Sequence, residues 1–222
     1  MQNGTKKMKS RNRRSNAAKI EFQKITMNTR EKILQAVLKN QPPPTTLPNI
    51  ERFKGNGVEK VEQYMKIFKT IGGSAYLVDD IATVKALISE QFDTTTRIVT
   101  TLPELTDIAE LLSATADPHL YEDVELAIIQ AHFGVAENGA VWLTDDLMGQ
   151  RIIPYICQHL AVIISADSIV PTLHEAYERI GAGNYSFGGF IAGPSKTADI
   201  EQALVLGAHG PLTMTVFIIK QT

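Results

Sequence analysis

Hydrophobic and polar positions along residues 58–222 follow two periods in turn. Apolar residues recur every three or four positions over 58–71, 81–90 and 170–180, which is the spacing of an amphipathic helix. The intervening runs are short and apolar throughout, as in strands buried on both faces. They lie at 75–78, 97–100, 124–130, 161–164, 189–192 and 214–219. We therefore predict an α/β fold with a mostly parallel sheet and helices on both faces.

Three other segments of the same region depart from this simple exchange. Asn138-Gly139 separates two apolar runs, and both residues tolerate the positive φ of a type I′ turn, so we predict a β-hairpin near 133–143. The pattern over 148–159 predicts a helical stretch, and that over 198–206 predicts a short helix. Ligands of parallel sheets bind where strands lead into helices, so we expect the functional residues in the strand-to-helix loops.

The N-terminal part has a different pattern. Residues 29–39 predict an amphipathic helix with Thr29 as its cap, and the proline-rich run 41–48 predicts an extended tether. We expect three segments: a basic extension over 1–26, a helix and tether over 27–57, and an α/β domain over 58–222.

Charge is distributed unevenly along the chain. Eight basic residues and one acidic residue give residues 1–26 a charge of +7, so the formal total of -2 leaves -9 for residues 27–222. The basic segment is expected to be a disordered arm, and translation starting at Met27 is an equal alternative. Nucleic-acid binding is disfavoured, because the body is acidic and no recognition motif follows the arm.

Cysteine and hydropathy restrict the class of protein further. Cys157 is the only cysteine, so the chain can form no intrachain disulfide, and no iron–sulfur cluster or zinc site is expected in it. The residue lies in an apolar run and is expected to be a buried small hydrophobe. No run is long enough for a membrane-spanning helix, and a cytoplasmic protein is expected.

The loop after the strand 189–192 is the first candidate binding site. It offers hydroxyls, a lysine and the N-terminus of the predicted helix 198–206 to a phosphate or carboxylate. The candidate ligand-binding residues are Gly193, Ser195, Lys196, Thr197 and Asp199. The loop lacks the spacing of a Walker loop, and simple helix capping is the alternative.

Three isolated residues are further candidates. Glu137, beside the hairpin turn, is a candidate general base or nucleophile, or else a solvent-exposed carboxylate that caps the turn. His209 is a candidate acid or base in a glycine-flanked loop, or else a partner of a helix C-terminus. Arg151 is a candidate ligand of an acidic substrate, and a surface ion pair is its alternative.

Two motifs carry a family resemblance. Residues 193–201 with 204–211, and residues 134–141 before them, resemble the C-terminal signature and the hairpin segment of LUD-domain proteins. The resemblance covers roughly 58–222. It implies a fold like that of the NagB/RpiA/CoA-transferase group and a role in L-lactate utilisation, the oxidation of lactate to pyruvate.

The resemblance also implies a partner. In this family a component without a cluster works beside an iron–sulfur subunit, and a chain whose only cysteine is Cys157 resembles that component. The alternative is a free-standing enzyme like the CoA transferases or sugar-phosphate isomerases, with Glu137 as its reactive group. Substrate, electron acceptor and oligomeric state stay open.

Overall fold

The structure, a computed structural model, describes residues 28–55, 59–198 and 204–220. The chain divides into two units, Met1–Pro48 and Asn49–Thr222. The first contains helix α1, Thr29–Lys39, as predicted. Its cap is Asn28 instead of Thr29: Asn28 Oδ1 accepts the N–H of Glu31 at 2.8 Å, and Glu31 Oε2 accepts the N–H of Asn28 at 3.1 Å. This reciprocal capping box defines where the helix begins.

The second unit contains the remaining helices and all the described strands. The helices are α2 (Lys60–Thr70), α3 (Ile81–Gln91), α4 (Asp145–Met148), α5 (Ile153–Ile156) and α6 (Leu173–Ile180). The strands are β1 (Ser74–Val78), β2 (Ile98–Thr100), β3 (Glu110–Leu111), β4 (Leu126–Gln130), β5 (Phe133–Val135), β6 (Ala140–Thr144), β7 (His159–Ser165), β8 (Gly188–Ile191), β9 (Lys196–Ala198), β10 (Leu204–Leu206) and β11 (Thr213–Ile219). Among the described residues, no helix is long and apolar enough to cross a membrane.

Six strands form a parallel sheet in the order β1-β11-β7-β4-β2-β3. Successive side chains of a strand enter opposite cores: in β7, Val162 and Ile164 pack on the side of α2, and Ile163 packs on the side of α3. Because both faces are covered, the strand sequences are apolar without alternation. The predicted α/β fold with helices on both faces is confirmed.

The predicted hairpin is confirmed and forms part of a second sheet. Strands β5 and β6 pair antiparallel, with Val135 opposite Ala140 across the four-residue loop 136–139, and β8 extends the sheet on the other side of β6. The two-residue type I′ turn predicted for Asn138-Gly139 is wrong, because these residues are the last two of the four-residue loop; Gly139, at φ +71°, donates its N–H to Val135 O at 2.9 Å. One face of this sheet packs on the α2 side of the parallel sheet, and Phe133, Val135 and Trp142 pack with Ala176 of α6.

The two sheets approach most closely at Gly134. A Cβ atom at this position would lie 3.0 Å from Ile164 Cδ1 of the parallel sheet and 3.0 Å from Tyr64 Cε2 of α2. Only glycine therefore lets β5 cross the face of β7 at this distance. Tyr64 and Ile164 are both buried, so neither has solvent to move into.

Two predicted helices differ from the structure. The helix over 198–206 is wrong for 198 and 204–206, which belong to the antiparallel pair β9 and β10; residues 199–203 lie outside the described part. Thr197 opposes Val205 in this pair, and such β-branched residues favour strands. The stretch 148–159 contains only two single-turn helices, because Gly149 at φ +68° ends α4 and Pro154 stands in the first turn of α5.

We predict that Gly134→Val destabilises the protein by roughly 1–3 kcal/mol, because the added side chain overpacks the contact between the sheets. Urea denaturation measures the change in the free energy of unfolding. Gly189→Val is the matched control, because a Cβ atom at Gly189 has its nearest neighbour, Tyr155 Oη, 3.9 Å away. Equal stability of the two variants would contradict the assigned close contact.

Candidate acid–base site at the carboxyl edge of the sheet

The candidate site lies where the chain leaves the parallel sheet and enters the second sheet. Strand β4 ends at Gln130, and the next two residues link the two sheets: Ala131 N–H donates to Ile163 O at 3.1 Å, and His132 N–H donates to Trp142 O at 3.0 Å. Both bonds hold the backbone on either side of the transition. His132 is therefore fixed at the carboxyl edge of the parallel sheet, the edge at which ligands of such sheets bind.

A chain of three polar side chains starts at His132. Its Nε2 lies 2.5 Å from Thr144 Oγ1, and the Thr144 hydroxyl donates to Asp146 Oδ1. Because the hydroxyl hydrogen is used toward the carboxylate, Thr144 Oγ1 accepts from His132 and the imidazole carries its proton on Nε2. Nδ1 then has an available lone pair, and no described residue lies within hydrogen-bond distance of it. The arrangement presents a proton acceptor to whatever binds beside it.

His132 opens into a cavity of about 650 Å³, which we call the His132 cavity. Its apolar wall includes Phe133 and Trp142, and its polar lining includes Thr144, Asp145 and Arg179. The Arg179 guanidinium carbon lies 4.8 Å from the centroid of the Phe133 ring, and Nη1 donates to Ser168 O at 2.8 Å. No other acceptor for Arg179 is found among the described residues. Its remaining donors are thus available to a ligand.

Asp145 is an acidic residue of the His132 cavity whose carboxylate is stabilised by two hydrogen-bond donors. Its Oδ2 accepts from Ser186 Oγ at 2.6 Å and from Arg151 Nη2 at 3.0 Å. The hydrogen bond from Ser186, and after it the one from Arg151, hold the pKa of Asp145 below its usual value. Arg151 lies at the surface, with its guanidinium carbon 5.6 Å from the centroid of the Phe187 ring. The structure thus places the predicted Arg151 in an ion pair beside the His132 cavity.

A second cavity of about 420 Å³ adjoins the first at the ends of the parallel strands. It has Ile163 and Ile219 on its apolar side and Thr101, Glu104 and Gln130 on its polar side. Asp146 lines both cavities. The carboxylate at the end of the His132 chain therefore separates two openings on the same edge of the sheet.

The predicted loop lies at the opposite edge. Ser195 N–H donates to Pro211 O at 2.9 Å, just before β11 begins, and Lys196 Nζ donates to Ile71 O at the C-terminus of α2. Gly193 is buried at φ +74°, and a Cβ atom there would lie 3.0 Å from Ile71 O. A cation at a helix C-terminus interacts favourably with the helix dipole, so Lys196 stabilises the C-terminus of α2.

Residues 196–198 form β9, so the described part of this loop contains no helix N-terminus of the kind that favoured an anion there. Thr197 lies in that strand. Asp199 lies outside the described residues. The candidate binding residues are therefore not gathered around a helix dipole, and binding of an anion by this loop stays a prediction.

The other predicted residues are dispersed. Glu137 Oε2 accepts from Leu173 N–H at 2.7 Å, so the carboxylate caps the N-terminus of α6 together with the N-cap Thr172. His209 is exposed in the turn between β10 and β11. The burial predicted for Cys157 is confirmed, and it raises the pKa of the thiol to about 12.

Four side chains of the carboxyl-edge site were not among the candidates predicted from the sequence. They are His132, Thr144, Asp146 and Arg179. A signal for the first three exists: a histidine follows the strand that ends at Gln130, and Thr144, the last residue of β6, is followed directly by Asp145 and Asp146. Arg179 gives no such signal, because on the surface of a helix it has the appearance of an ordinary solvated charge.

The fold and site define an α/β protein with an acid–base cavity at the carboxyl edge of a parallel sheet. Within it, residues 119–219 match the LUD domain. Similar proteins include "Lactate utilization protein C" of Oceanobacillus iheyensis, 31% identical over 104 residues, or 44% of this chain and 45% of that protein. "Lactate utilization protein C 1" of Bacillus mycoides is 33% identical over 43% of each chain. The predicted resemblance to the LUD-domain family is confirmed.

A solved structure supports the fold independently. The crystal structure of a DUF162 family protein from Deinococcus radiodurans matches with a TM-score of 0.57 and 16% identity, over 72% of this chain and 96% of that one. At this identity the likeness concerns the fold alone. The aligned segment spans less than half the length of the two lactate utilisation proteins named above.

We predict that Ser186→Ala raises the pKa of Asp145 toward its ordinary value of 3.8, and that Arg151→Gln raises it less. Because folding lowers this pKa, the ionised carboxylate stabilises the fold above the unfolded pKa, and that contribution is lost as pH falls through the folded pKa. Carboxyl carbon NMR titration measures the change. The pKa of Asp80, lowered chiefly by Thr83, is the internal control and should stay constant. An unchanged Asp145 in both variants would contradict the assigned hydrogen bonds.

We also predict that Glu137→Ala lowers the free energy of unfolding by about 0.5–2 kcal/mol through loss of the cap on α6. Glu137→Gln keeps an acceptor oxygen and should cost less. Chemical denaturation of the three proteins at neutral pH measures both effects. The cap assignment fails if Glu137→Ala is as stable as the unmodified chain.

Proposed function

We propose that this chain is a component of an L-lactate utilisation system and that the His132 cavity binds a small 2-hydroxy or 2-oxo carboxylate. The names of the similar proteins support a role in lactate utilisation, and the lining of the His132 cavity supports a small carboxylate as the ligand. The observation that carries the proposal is the arrangement of His132, which lines the cavity while Thr144 and Asp146 engage its Nε2 and leave Nδ1 without a hydrogen-bond partner among the described residues. A 2-hydroxy acid requires both a cation for its carboxylate and an acceptor for its hydroxyl proton.

Arg179 provides the first of these groups. A planar guanidinium recognises a carboxylate through paired N–H donors, and Arg179 has donors available in the cavity that His132 lines. Phe133 lies directly after His132 in the chain, and its ring supports the guanidinium. The base thus lies directly before β5, and the cation lies on helix α6, which packs on that strand.

His132 provides the second. Oxidation of lactate to pyruvate removes two electrons and two protons, and His132 Nδ1 can accept the proton of the hydroxyl group. The positive charge that this places on the imidazole faces Asp146 Oδ1, 3.9 Å from Nε2. The second proton, from the substrate carbon, and the two electrons would leave to an acceptor outside this chain, and the iron–sulfur subunit implied by the family resemblance would carry those electrons onward one at a time.

Isothermal titration of the full chain with L-lactate and with pyruvate tests this proposal. We expect Arg179→Gln to weaken binding by about 10- to 100-fold, since it removes a charge-assisted pair worth roughly 1.5–3 kcal/mol. Arg30→Gln, a change of the same charge on α1, is the control. His132→Asn should weaken L-lactate more than pyruvate, because only lactate donates a hydroxyl proton.

A Lys196→Ala variant separates this site from the loop predicted from the sequence. Loss of binding in Lys196→Ala but not in Arg179→Gln would transfer the ligand to the loop Gly193–Lys196 and overturn the assignment. Absence of binding to the unmodified chain, with and without an iron–sulfur partner, would overturn the proposed ligand class.

A further inference from the structure

The two outermost strands of the parallel sheet, β3 and β1, differ in how well their free backbone groups are protected from pairing with another strand. At one end β3 has only two residues, and its Glu110 is paired with Arg97 at 3.0 Å, so a short charged strand blocks further pairing. At the other end β1 has five residues, Ser74–Val78, with no charge, proline or bulge. Exposed edges without such protection are templates for another strand.

Backbone geometry shows which groups β1 presents outward. Val78 O accepts from Lys220 N–H at 2.9 Å, so the groups of Val78 face β11. Backbone groups alternate sides along a strand, so the N–H and C=O of Ala75 and Leu77 face outward. These are the two residues that a twofold axis at Tyr76 would pair with each other. Each antiparallel pair, Ala75 with the partner copy's Leu77, exchanges two hydrogen bonds.

A groove of about 760 Å³ runs beside this edge and under α2. One stripe of α2 lines it, and Ala75, Tyr76 and Leu77 line it from the strand. Leu77 is 42% exposed although it lies in a strand of the main sheet. Its side chain and the exposed parts of Val61 and Met65, which otherwise pack on the core, give the groove an apolar surface.

Charges along the groove are arranged head to tail. The stripe of α2 consists of Glu62, Met65, Lys66 and Lys69, at the i, i+3, i+4 and i+7 positions of one helix face. Glu59 lies before its first turn. None of the four charged side chains forms an ion pair with a described residue. The groove therefore has an acidic end and a basic end, and it is complementary to a copy of itself in the opposite direction.

The axis on the strand and the axis on the helix coincide. Helix α2 runs antiparallel to β1, and the two are joined by Gly72-Gly73. From Ser74 to Tyr76 the strand advances by about 6–7 Å, which corresponds to roughly four to five helical residues back from Thr70. That point is Met65–Lys66, the middle of α2. A twofold axis there places Glu62 of one copy beside Lys69 of the other.

We propose that two copies of this chain associate about this axis, with β1 pairing antiparallel to β1 and α2 lying against α2. Each contact then occurs twice, as an isologous interface requires. The result is a continuous sheet of twelve strands with both α2 helices on the same face. Pairing satisfies the outward backbone groups, and the helices bury the apolar groove.

Light scattering after size-exclusion chromatography of the full chain tests the proposal through a charge exchange. The unmodified chain should have twice the protomer mass of 24.4 kDa. Glu62→Lys or Lys69→Glu alone should raise the dissociation constant at least tenfold, because like charges then face each other across the axis. The double variant E62K/K69E should restore association. Residues 62 and 69 are about 10 Å apart along the helix, so the rescue acts between copies.

Two further measurements keep the result specific to this edge. Glu90→Lys, the same charge change on α3, should leave the dissociation constant unchanged. Leu77→Lys should give a folded monomer in which the backbone amides of positions 75 and 77 exchange hydrogen faster than they do in the unmodified dimer. A monomeric unmodified chain, a dimer insensitive to Glu62→Lys, or a failure of the double variant to restore association would each overturn the proposal.

Discussion

Burial of the parallel strands on both faces is the constraint on which the other features depend. Strands β4, β7 and β11 pack against α3 on one side, and on the other they pack against α2 and the second sheet. A sheet enclosed in this way has free backbone groups only at its ends and edges. The sites where chemistry or association can occur are thus limited to the carboxyl edge, the amino edge and the outer side of β1.

The second sheet positions the side chains of the candidate site at the carboxyl edge. Two residues link β4 to its first strand, β5, and the register of β5 with β6 places Phe133 opposite Trp142. The same register brings His132 to the end of β6, where Thr144 leads into α4. Gly134 allows the approach, because any side chain there would meet Ile164 and Tyr64. The contact between His132 and Thr144 is therefore a consequence of how the two sheets pack.

Periodicity predicted the layers of the fold because the hydrophobic effect acts on each face of an element separately. The hairpin was predictable from Asn138-Gly139, whose turn chemistry is local. The site was not, since His132, Thr144 and Arg179 come together only through pairing and packing between segments distant in the sequence. The loop Gly193–Lys196 shows the converse: its composition is that of an anion site, but tertiary contacts with Ile71 and Pro211 use its lysine and backbone.

The polar groups at the amino and carboxyl edges of the parallel sheet consequently differ in what they contact. At the amino edge Lys196 donates a hydrogen bond to the C-terminus of α2, and Ser195 donates one to the segment before β11. The polar groups there are therefore used in hydrogen bonds within the protein. At the carboxyl edge His132 and Arg179 line a cavity. A twofold axis through Tyr76 runs normal to the sheet and reverses the strand direction, so the two carboxyl edges of a dimer face opposite ways. The β1 interface proposed above lies apart from the residues that line the His132 cavity, so association through β1 leaves each cavity accessible.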